Sequence, residues 1–455
     1  MARLLTQGQG TRTGDRHYTL VCAHCGSRQA DDGFMLDCPQ QRADAHEHTG
    51  APRHAQALLR TEYRLREFGP RGGSRGLARY RDWLPVRDGM ADAGRSAVYR
   101  STHLARAIGL PNLWIAFNGY WPERGADLPT ASFKDFEANT VLARMPADRL
   151  VLTVASSGNT GAAFAWACSA QGVPCLLVVP GQGLHRLRFT APLADWVKIV
   201  VIDDGDYYDA INLAARLCEL PGFRPEGGVR NVARRDGLGT VLLSAFEEMN
   251  SLPTHYVQAV GSGTGAIGVL EAARRLHGTG LADAGHGAAL PKLVMCQNRP
   301  FMPIYTAWRA GRAALVPEPA AQVREAIARS FADELGNRAP PYSVVGGVYD
   351  SLRDSAGDVL VAGKAATRAA MTSFAELEGI DIEPAAGVAV ACLREAVLRS
   401  TIARTAVVLL NVTGGGRARL AADYRLVLAR PSLRVGRAAA DCTATVKAIA
   451  ELPWA

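Results

Sequence analysis

The chain has 455 residues, of which 48% are hydrophobic and 21% are charged. These fractions are ordinary for a globular protein and exclude wholesale disorder, a collagen-like repeat and a coiled coil. The 51 basic residues exceed the 43 acidic ones and give a net charge of +8, which favours small anionic ligands or nucleic acid. Aromatic residues are only 7% and do not alternate with basic clusters, so we expect no nucleic-acid partner.

The N-terminal stretch has no apolar core of signal-peptide length, and no run reaches the ~18 apolar residues of a membrane span. The longest apolar region, 151–180, is interrupted by polar residues at 156–159. Nine cysteines without a signal peptide are typical of reduced thiols. We therefore expect a cytoplasmic protein that does not bind membranes.

Residues 1–60 are rich in histidine and cysteine and resemble loops more than regular elements. A strand-like run from Tyr18 leads into Cys22-x-x-Cys25, and a third thiol follows at Cys38. This is the first part of a zinc-ribbon pattern, but the matching fourth cysteine is missing. The residues near the missing position are Gln40, Gln41, His46 and His48. We predict a degenerate zinc-ribbon-like segment held by packing, with no metal ligands; a bound zinc is the alternative.

From about residue 110 onward, apolar runs of strand length alternate with helical segments. The predicted strands are 150–155, 173–180, 197–202, 256–260, 293–297 and 406–410. The helices predicted between them include 162–171, 210–220 and 266–276, and residues 277–291 and 311–320 are predicted loops. This alternation predicts an α/β protein whose parallel sheets are covered by helices on both faces.

The first motif that indicates chemistry is Ser132-Phe133-Lys134-Asp135, at the predicted start of a helix. The positive end of the helix dipole and burial both disfavour a charged lysine at this position. A neutral amine is the form that reacts with an aldehyde. Taken alone, the motif favours a surface lysine in the first turn of a helix over a reactive one.

The second motif, Ser-Ser-Gly-Asn-Thr-Gly at 156–161, lies between a predicted strand and a predicted helix. Its hydroxyls, glycine amides and helix N-terminus together form an anion site that suits a carboxylate. Asn159 adds an amide that can bond the oxygen of a ring. Serine and asparagine also cap helices routinely, so a plain helix start is the alternative.

The third motif is Gly261-Ser-Gly-Thr-Gly265, which again follows a strand and precedes a helix. Its backbone amides are suited to a phosphate. It also satisfies a loose dinucleotide fingerprint, so a nicotinamide-binding protein or a non-enzymatic scaffold is an alternative. Asp283 has the spacing expected for the ribose partner but lies in a loop before the next strand, which weakens that alternative.

The fourth motif, Asn411-Val-Thr413-Gly-Gly-Gly416, follows the last predicted strand. A threonine hydroxyl at this position can bond a neutral ring nitrogen, and the three glycines let the backbone approach a flat cofactor. A plain turn at the end of a strand is the alternative.

In this order, the four motifs resemble those of the pyridoxal-phosphate enzymes of the tryptophan-synthase β-subunit fold, fold type II. Within that group the chain is most similar to threonine synthases, through the cysteine turn and segments 58–63 and 378–386. Segments 80–86 and 117–123 resemble cysteate synthases, which are relatives of threonine synthases. The threonine-synthase pattern has glycine where Ala131 stands, a small change.

The resemblance implies a large parallel-sheet domain formed by residues 61–142 and 251–455. A smaller, mobile α/β domain at 143–250 is inserted in it and binds substrate, and residues 1–60 form the zinc-ribbon-like extension. The implied cofactor is pyridoxal 5′-phosphate. The residues implied to bind it are Lys134, Asn159, Gly261, Ser262, Gly263, Thr264, Gly265 and Thr413.

Lys134 is the implied catalytic residue, joined to the cofactor aldehyde and later taking the α-proton of the substrate. Ser156, Ser157 and Thr160 are implied to bind the substrate carboxylate. His185, Arg186 and Arg188 are candidate partners for a substrate phosphate and for an incoming oxyanion, although two arginines on a solvated face are an equal alternative.

The implied reaction is β-replacement of O-phospho-L-serine by sulfite, which gives L-cysteate and phosphate. Alternatives are threonine synthesis from O-phospho-L-homoserine and β-replacement with another nucleophile. The expected partners are therefore a small anionic amino acid and sulfite, with a homo-oligomer possible. Glu383 lies in a segment that matches the family, but the sequence assigns it no chemical role beyond helix capping.

Overall fold

The computed structural model describes residues 16–43, 56–87, 89–148, 150–156, 158–279, 289–440 and 442–454. His46, His48, Ser157 and Asp283 lie outside the described residues. None of the described helices is both long enough and apolar enough to span a bilayer.

The strands are short and mostly buried. In chain order they are β1 (Tyr18–Cys22), β2 (Arg28–Gln29), β3 (Leu59–Tyr63), β4 (Ala97–Arg100), β5 (Leu113–Phe117), β6 (Tyr120–Trp121), β7 (Ala126–Asp127), β8 (Val151–Ala155), β9 (Cys175–Pro180), β10 (Arg188–Phe189), β11 (Val197–Asp203), β12 (Phe223–Pro225), β13 (His255–Ala259), β14 (Lys292–Asn298), β15 (Asp358–Ala362), β16 (Val408–Val412), β17 (Val427–Leu428) and β18 (Leu433–Gly436).

The helices connect these strands and cover the sheets. In chain order they are α1 (Pro39–Ala43), α2 (His103–Ile108), α3 (Lys134–Arg144), α4 (Asn159–Gln171), α5 (Tyr207–Leu217), α6 (Val232–Met249), α7 (Thr264–Gly278), α8 (Pro303–Arg309), α9 (Ala320–Arg329), α10 (Val348–Asp354), α11 (Lys364–Glu378), α12 (Pro384–Leu398), α13 (Arg417–Asp423), α14 (Arg437–Ala440) and α15 (Thr443–Ala450).

The larger sheet has six strands in the order β15-β14-β13-β16-β5-β4. All neighbours are parallel except β4, which pairs antiparallel with β5 at one edge. Apolar side chains of α6 and α7 pack on one face, and those of α2, α11 and α12 pack on the other. Because both faces are covered, the central strands are continuous apolar runs rather than alternating ones.

The smaller sheet has five parallel strands in the order β12-β8-β9-β11-β18. Helices α3 and α4 cover one face, while α5 and α15 cover the other. Strand β18 pairs with β11, and α15 packs on the same sheet, so residues 433–450 lie with the smaller sheet. The family resemblance places these residues in the larger domain. Their attachment to the smaller sheet depends on a strand pairing that hydrophobic periodicity does not reveal.

A third, antiparallel sheet has the order β2-β1-β3 and forms the N-terminal extension. Strand β3 completes it, so the extension continues a few residues beyond position 60. Its small core contains Leu20, Cys38 and Leu59 together with Val232 of α6. The extension therefore packs directly against the helix that follows the smaller sheet.

Candidate active site

The loops that follow β8, β13 and β16 line one cavity together with the first turn of α3. Parallel strands have their carboxyl ends at the same edge of a sheet, which is where ligands bind in open α/β folds. The cavity lining contains most of the residues that the sequence singled out. These are Lys134, Ser156, Asn159, Thr160, Gly261, Ser262, Gly263, Thr264, Gly265 and Thr413.

Lys134 is the first residue of α3, as predicted, and its side chain is only 19% exposed. Its Nζ lies 3.2 Å from Oε2 of Glu137 and 4.7 Å from the centre of the Phe133 ring. Burial lowers the pKa of Lys134 below its usual value, Glu137 opposes this shift, and the charge of Arg234 adds to it. The amine is therefore biased toward the neutral form that reacts with an aldehyde.

Glu137 is fully buried one turn after Lys134 and is held by a second cation. Arg234 of α6 donates two hydrogen bonds to it, both of 3.0 Å, and a third of 2.6 Å to Glu226. Thr160 of α4 donates to the same carboxylate at 2.8 Å. Burial alone would raise the pKa of Glu137, but the charges of Arg234 and Lys134 hold it below its usual range.

The loop between β8 and α4, residues 156–158, is stabilised by its own serine. The Ser156 hydroxyl accepts hydrogen bonds from the amides of Gly158, at 3.2 Å, and Gly161, at 2.8 Å. This oxygen therefore caps the start of α4, and Ser156 is only 4% exposed. The predicted role of Ser156 and Thr160 toward a substrate carboxylate stays a prediction, and Ser157 lies outside the described residues.

The loop between β13 and α7, residues 260–263, is built differently. Gly263 occupies the position before α7 with a φ of +79°, and a Cβ there would lie 2.6 Å from Cγ2 of Val348. In the part of the chain that the structure describes, no protein group accepts a hydrogen bond from the amides of Gly265 or Ala266. Open amides at a helix N-terminus form an anion site.

Thr413 directly follows β16 and is 6% exposed beside the cavity. Its carbonyl accepts a hydrogen bond of 3.0 Å from the amide of Phe133, which fixes the turn that presents Lys134. Gly414 forms a bridge with Ser132, and a Cβ on Gly414 would lie 2.3 Å from Oε2 of Glu383. Glycine is therefore required at 414 because the lysine turn and the Glu383 carboxylate both approach the backbone.

Asn159 begins α4 with both ends of its amide engaged. Its Nδ2 donates to Oε2 of Glu383 at 2.5 Å, and Arg417 donates to its Oδ1 at 3.0 Å. Arg417 also pairs with Glu383. Glu383 lies just before α12 but makes no side-chain cap on it, so the capping role considered from sequence is wrong. It orients Asn159 instead.

A short 3-10 helix, Asp333–Leu335, closes one side of the cavity. Burial raises the pKa of Glu334 to about 7, the nearby carboxylate of Glu383 adds to the shift, and the charge of Arg186 opposes it. Glu334 also accepts a hydrogen bond of 2.9 Å from the amide of Ala385. The cavity therefore has one carboxyl group that changes its charge near neutral pH.

The three cationic candidates are not part of the cavity lining. His185 is bonded to the carbonyl of Gln182 at 2.7 Å, and Arg188 donates to the carbonyl of His185 at 3.1 Å. Arg186 comes nearest to the β8–α4 loop, since its Cδ lies 3.6 Å from the place that a Cβ on Gly158 would occupy. Its guanidinium forms an ion pair of 2.5 Å with Asp333. Their role in binding a substrate anion stays a prediction.

Several residues around Lys134 were missed from the sequence. They are Glu137, Tyr207, Glu226, Arg234, Gln258, Glu334 and Arg417. Only Glu137 could have been predicted from the sequence, because an acidic residue three positions after a lysine lies on the same helix face. The others come from distant elements whose approach depends on the tertiary fold.

The residues present fit pyridoxal phosphate. They combine a buried amine, a glycine-rich helix start with open amides, and a hydroxyl at Thr413. In addition, the buried Ser132 hydroxyl, two residues before Lys134, has no hydrogen-bond partner in the described part of the chain. A buried polar atom without a partner is rare unless a ligand or a water completes it.

Comparisons with known proteins agree with this geometry. The family model described as "Pyridoxal-phosphate dependent enzyme" matches residues 99–414. Maize serine racemase has a TM-score of 0.54 over 71% of this chain and 89% of its own, but only 18% identity, so the likeness concerns the fold alone. Fold and site together define a pyridoxal-phosphate-dependent enzyme of fold type II.

The sequence relatives narrow this class. The cysteate synthase of Methanospirillum hungatei is 40% identical over 92% of this chain and 95% of its own length. That of Methanoculleus marisnigri is 43% identical over 92% of this chain and 93% of its own. The chain belongs to the cysteate synthase family.

Proposed function

We propose that the protein catalyses a β-replacement in which O-phospho-L-serine and sulfite give L-cysteate and phosphate. The bond from the β-carbon to the phosphate oxygen breaks, and a carbon–sulfur bond forms in its place. The observation that carries this proposal is that Lys134, whose side chain is only 19% exposed, lines one cavity together with the two glycine-containing loops that begin α4 and α7. The family relatives support the same reaction.

In this proposal the cofactor lies within the cavity. The amides that begin α7 would hold its phosphate, Lys134 would join its aldehyde, and Thr413 would bond its ring nitrogen. When bound, pyridoxal phosphate withdraws electrons from the α-carbon of an attached amino acid and so acidifies the hydrogen there. Asn159, fixed by Glu383 and Arg417, would meet the ring oxygen.

Lys134 Nζ has a second task, because a free amine beside the α-carbon can take and return its proton. The resulting ammonium lies 3.2 Å from Glu137, whose negative charge stabilises it. Arg234 keeps Glu137 ionised and fixed through two hydrogen bonds. Glu137 and Arg234 are thus positioning residues that act on the substrate through Lys134.

Exclusion of water is the remaining requirement, because a reactive intermediate must meet sulfite rather than solvent. The cavity lies between the larger and the smaller sheet, with α3 shared by both packing layers. We expect the unit built on the smaller sheet to close over the bound substrate as a mobile domain. The sequence places this domain at 143–250, but α6 packs on the larger sheet and residues 433–450 pack on the smaller one. Cytoplasmic location, a homo-oligomeric state and the absence of nucleic-acid and membrane partners likewise remain predictions.

The test is an assay of phosphate release with O-phospho-L-serine and O-phospho-L-homoserine side by side, with and without sulfite, and mass spectrometry of the amino-acid product. We expect cysteate from phosphoserine and sulfite only. Lys134→Ala should lower turnover by about 10³-fold or more and abolish the visible absorption of the bound cofactor. Lys198→Ala, on β11 outside the cavity, is the matched control and should keep both. Absence of phosphate release from phosphoserine would refute the proposal.

A further inference from the structure

Three cysteines of the N-terminal extension converge outside the residues that line the active-site cavity. The thiol sulfurs of Cys22, Cys25 and Cys38 all lie within 4.8 Å of one another. Cys22 and Cys38 are buried, Cys25 is exposed, and none of the nine cysteines, all of them described, is in a disulfide. We propose that these three thiols bind one thiophilic divalent cation, Zn²⁺, as a structural site.

The distance between two of the sulfurs matches a metal site better than a disulfide. Cys25 Sγ and Cys38 Sγ are 3.8 Å apart. With Zn–S bonds of about 2.3 Å, two sulfurs at the corners of a tetrahedron are separated by about 3.8 Å. A disulfide requires about 2.05 Å. The separation is therefore too long for a disulfide and allows both sulfurs to bind one ion without moving apart or together.

The backbone holds the first two thiols on one side of a tight turn. The amide of Gly26 donates to the carbonyl of Cys22, and the amide of Cys22 donates to the carbonyl of Ser27, both at 3.0 Å. Gly26 has a φ of +70°, in the left-handed region that favours glycine. This turn is formed without any contribution from the metal, so the cost of arranging the ligands is low.

The ligand chemistry selects the metal. Thiolates favour Zn²⁺ over hard cations, which prefer oxygen. The Ser27 hydroxyl lies 3.1 Å from Cys25 Sγ and 3.3 Å from Cys38 Sγ, where it supports the charge of bound thiolates. Three thiolates leave one corner of the tetrahedron for water or a further side chain. The sequence predicts no metal ligands because a fourth cysteine is missing, whereas the proposal takes the fourth ligand from water or another side chain.

The segment between Cys25 and Cys38 anchors the two helices that hold Lys134 and Arg234. Its Asp31 accepts two hydrogen bonds from Arg144, at 2.9 and 2.8 Å, with both side chains fully buried. Arg144 is the last residue of α3 and also donates, at 2.7 Å, to Asn231, which caps α6. A metal that fixes this segment therefore stabilises the ends of α3 and α6 without touching the cavity.

The experiment measures the metal in tag-free protein purified under reducing conditions and loaded with cofactor. We expect close to one equivalent of zinc per chain, which Cys25→Ser should lose almost completely. Cys442→Ser is the matched control, because Cys442 is also exposed and its serine replacement keeps a cap for α15. Cys25→Ser should also unfold at a lower temperature while keeping its turnover below that temperature.

X-ray absorption at the zinc edge of the unmodified protein provides a readout that needs no variant. Three sulfur neighbours at about 2.3 Å would support the site. The proposal is overturned if the protein holds no zinc after reconstitution, if zinc is bound by nitrogen and oxygen alone, or if Cys25→Ser and Cys38→Ser retain it. A disulfide between Cys25 and Cys38 in freshly isolated protein would also overturn it.

Discussion

The β8–α4 loop and the β13–α7 loop have the same local architecture but satisfy their backbone amides in opposite ways. Each follows a parallel strand, contains serine and glycine, and begins a helix beside the cavity. In the β8–α4 loop, the Ser156 hydroxyl accepts hydrogen bonds from two backbone amides, one in the loop and one in the first turn of α4. In the second, the closest side-chain oxygen, on Ser262, reaches only the amide of Thr264, at 3.4 Å.

This difference bears on the ligand proposed for each loop. A loop whose own hydroxyl caps the helix is stable without a ligand, which suits a substrate that arrives and leaves in every turnover. A helix start with open amides lacks partners until an anion binds, which suits a resident phosphate. This contrast agrees with the roles proposed above, in which the first loop would bind the substrate carboxylate and the second the cofactor phosphate.

The largest expected effect comes from closing the β13–α7 loop with a methyl group. Gly263→Ala would place Cβ 2.6 Å from Val348 Cγ2 at a φ of +79°. We expect the affinity for pyridoxal phosphate to fall at least about tenfold, because left-handed strain of about 1–2 kcal/mol adds to the clash. The measurement is an absorbance titration of cofactor-free protein.

Gly311→Ala is the matched control for that variant. Gly311 has a φ of +64°, but a Cβ there would meet nothing within 4 Å. It therefore carries the backbone strain without the crowding, and we expect unchanged cofactor affinity. Equal affinities of both alanine variants would contradict the role given to the β13–α7 loop.

The second prediction concerns the β8–α4 loop and the pH dependence of KM. Glu334, with a pKa of about 7, is neutral below that pH and charged above it, and its Cβ lies 3.7 Å from the position of a Cβ on Gly158. We expect KM for phosphoserine to rise about fivefold as pH increases from about 6 to about 8, since a repulsion on the order of 1 kcal/mol gives that factor.

Glu334→Gln should flatten this pH dependence, whereas Glu325→Gln, at an exposed position on α9, should not. The substrate phosphate also ionises in this pH range, but it does so in the assays of all three proteins, so its effect on KM cancels in the comparison. A Glu334→Gln profile identical to that of the wild type would show that Glu334 does not face the bound anion.

The third prediction separates the two serines. Ser156→Ala should cost about 1 kcal/mol of unfolding free energy, because it removes the hydroxyl that caps α4. Ser262→Ala should change the stability of cofactor-saturated protein by less than about 0.5 kcal/mol, since its hydroxyl holds no helix amide at short distance. Urea unfolding of both variants measures this, and equal losses would remove the distinction between the loops.

The smallest effect is expected at Ala131, in the turn before Lys134. Its φ of +54° lies in the left-handed region, where the family pattern has glycine. Ala131→Gly relieves strain but loses a buried methyl group and adds flexibility to the unfolded chain, so we expect a net change within about 0.5 kcal/mol. Turnover should be unchanged; a marked loss would mean that the methyl group itself shapes the lysine turn.

The parts of the site that lie just after predicted strands could be predicted from the sequence. The predicted strands near residues 150, 256 and 406 are present. Strands β13 and β16 are neighbours in the larger sheet, so the motifs after them leave the same edge, whereas β8 belongs to the smaller sheet and its motif meets them across the cavity. The start of α3 at Lys134 also follows from its local pattern. These features depend on periodicity and helix-start chemistry, which a single sequence contains.

The parts that could not be predicted depend on contacts between distant segments. Arg234 lies on α6, where its neighbours Arg235 and Asp236 give the appearance of a solvated charged stretch, yet all three are buried in ion pairs. His185 and Arg188 were selected for their charge alone, and the local turn directs both into backbone hydrogen bonds. Charge in a sequence shows which groups are available and leaves open where they point.

The pairing of β18 with β11 has a consequence for biosynthesis. During translation, β8, β9, β11 and β12 leave the ribosome long before residues 433–436, so β11 then has an unpaired edge. Exposed edges of this kind promote association between nascent chains. We infer that the smaller sheet reaches its final form only late in synthesis, and that shortened chains lacking β18 would be prone to aggregate.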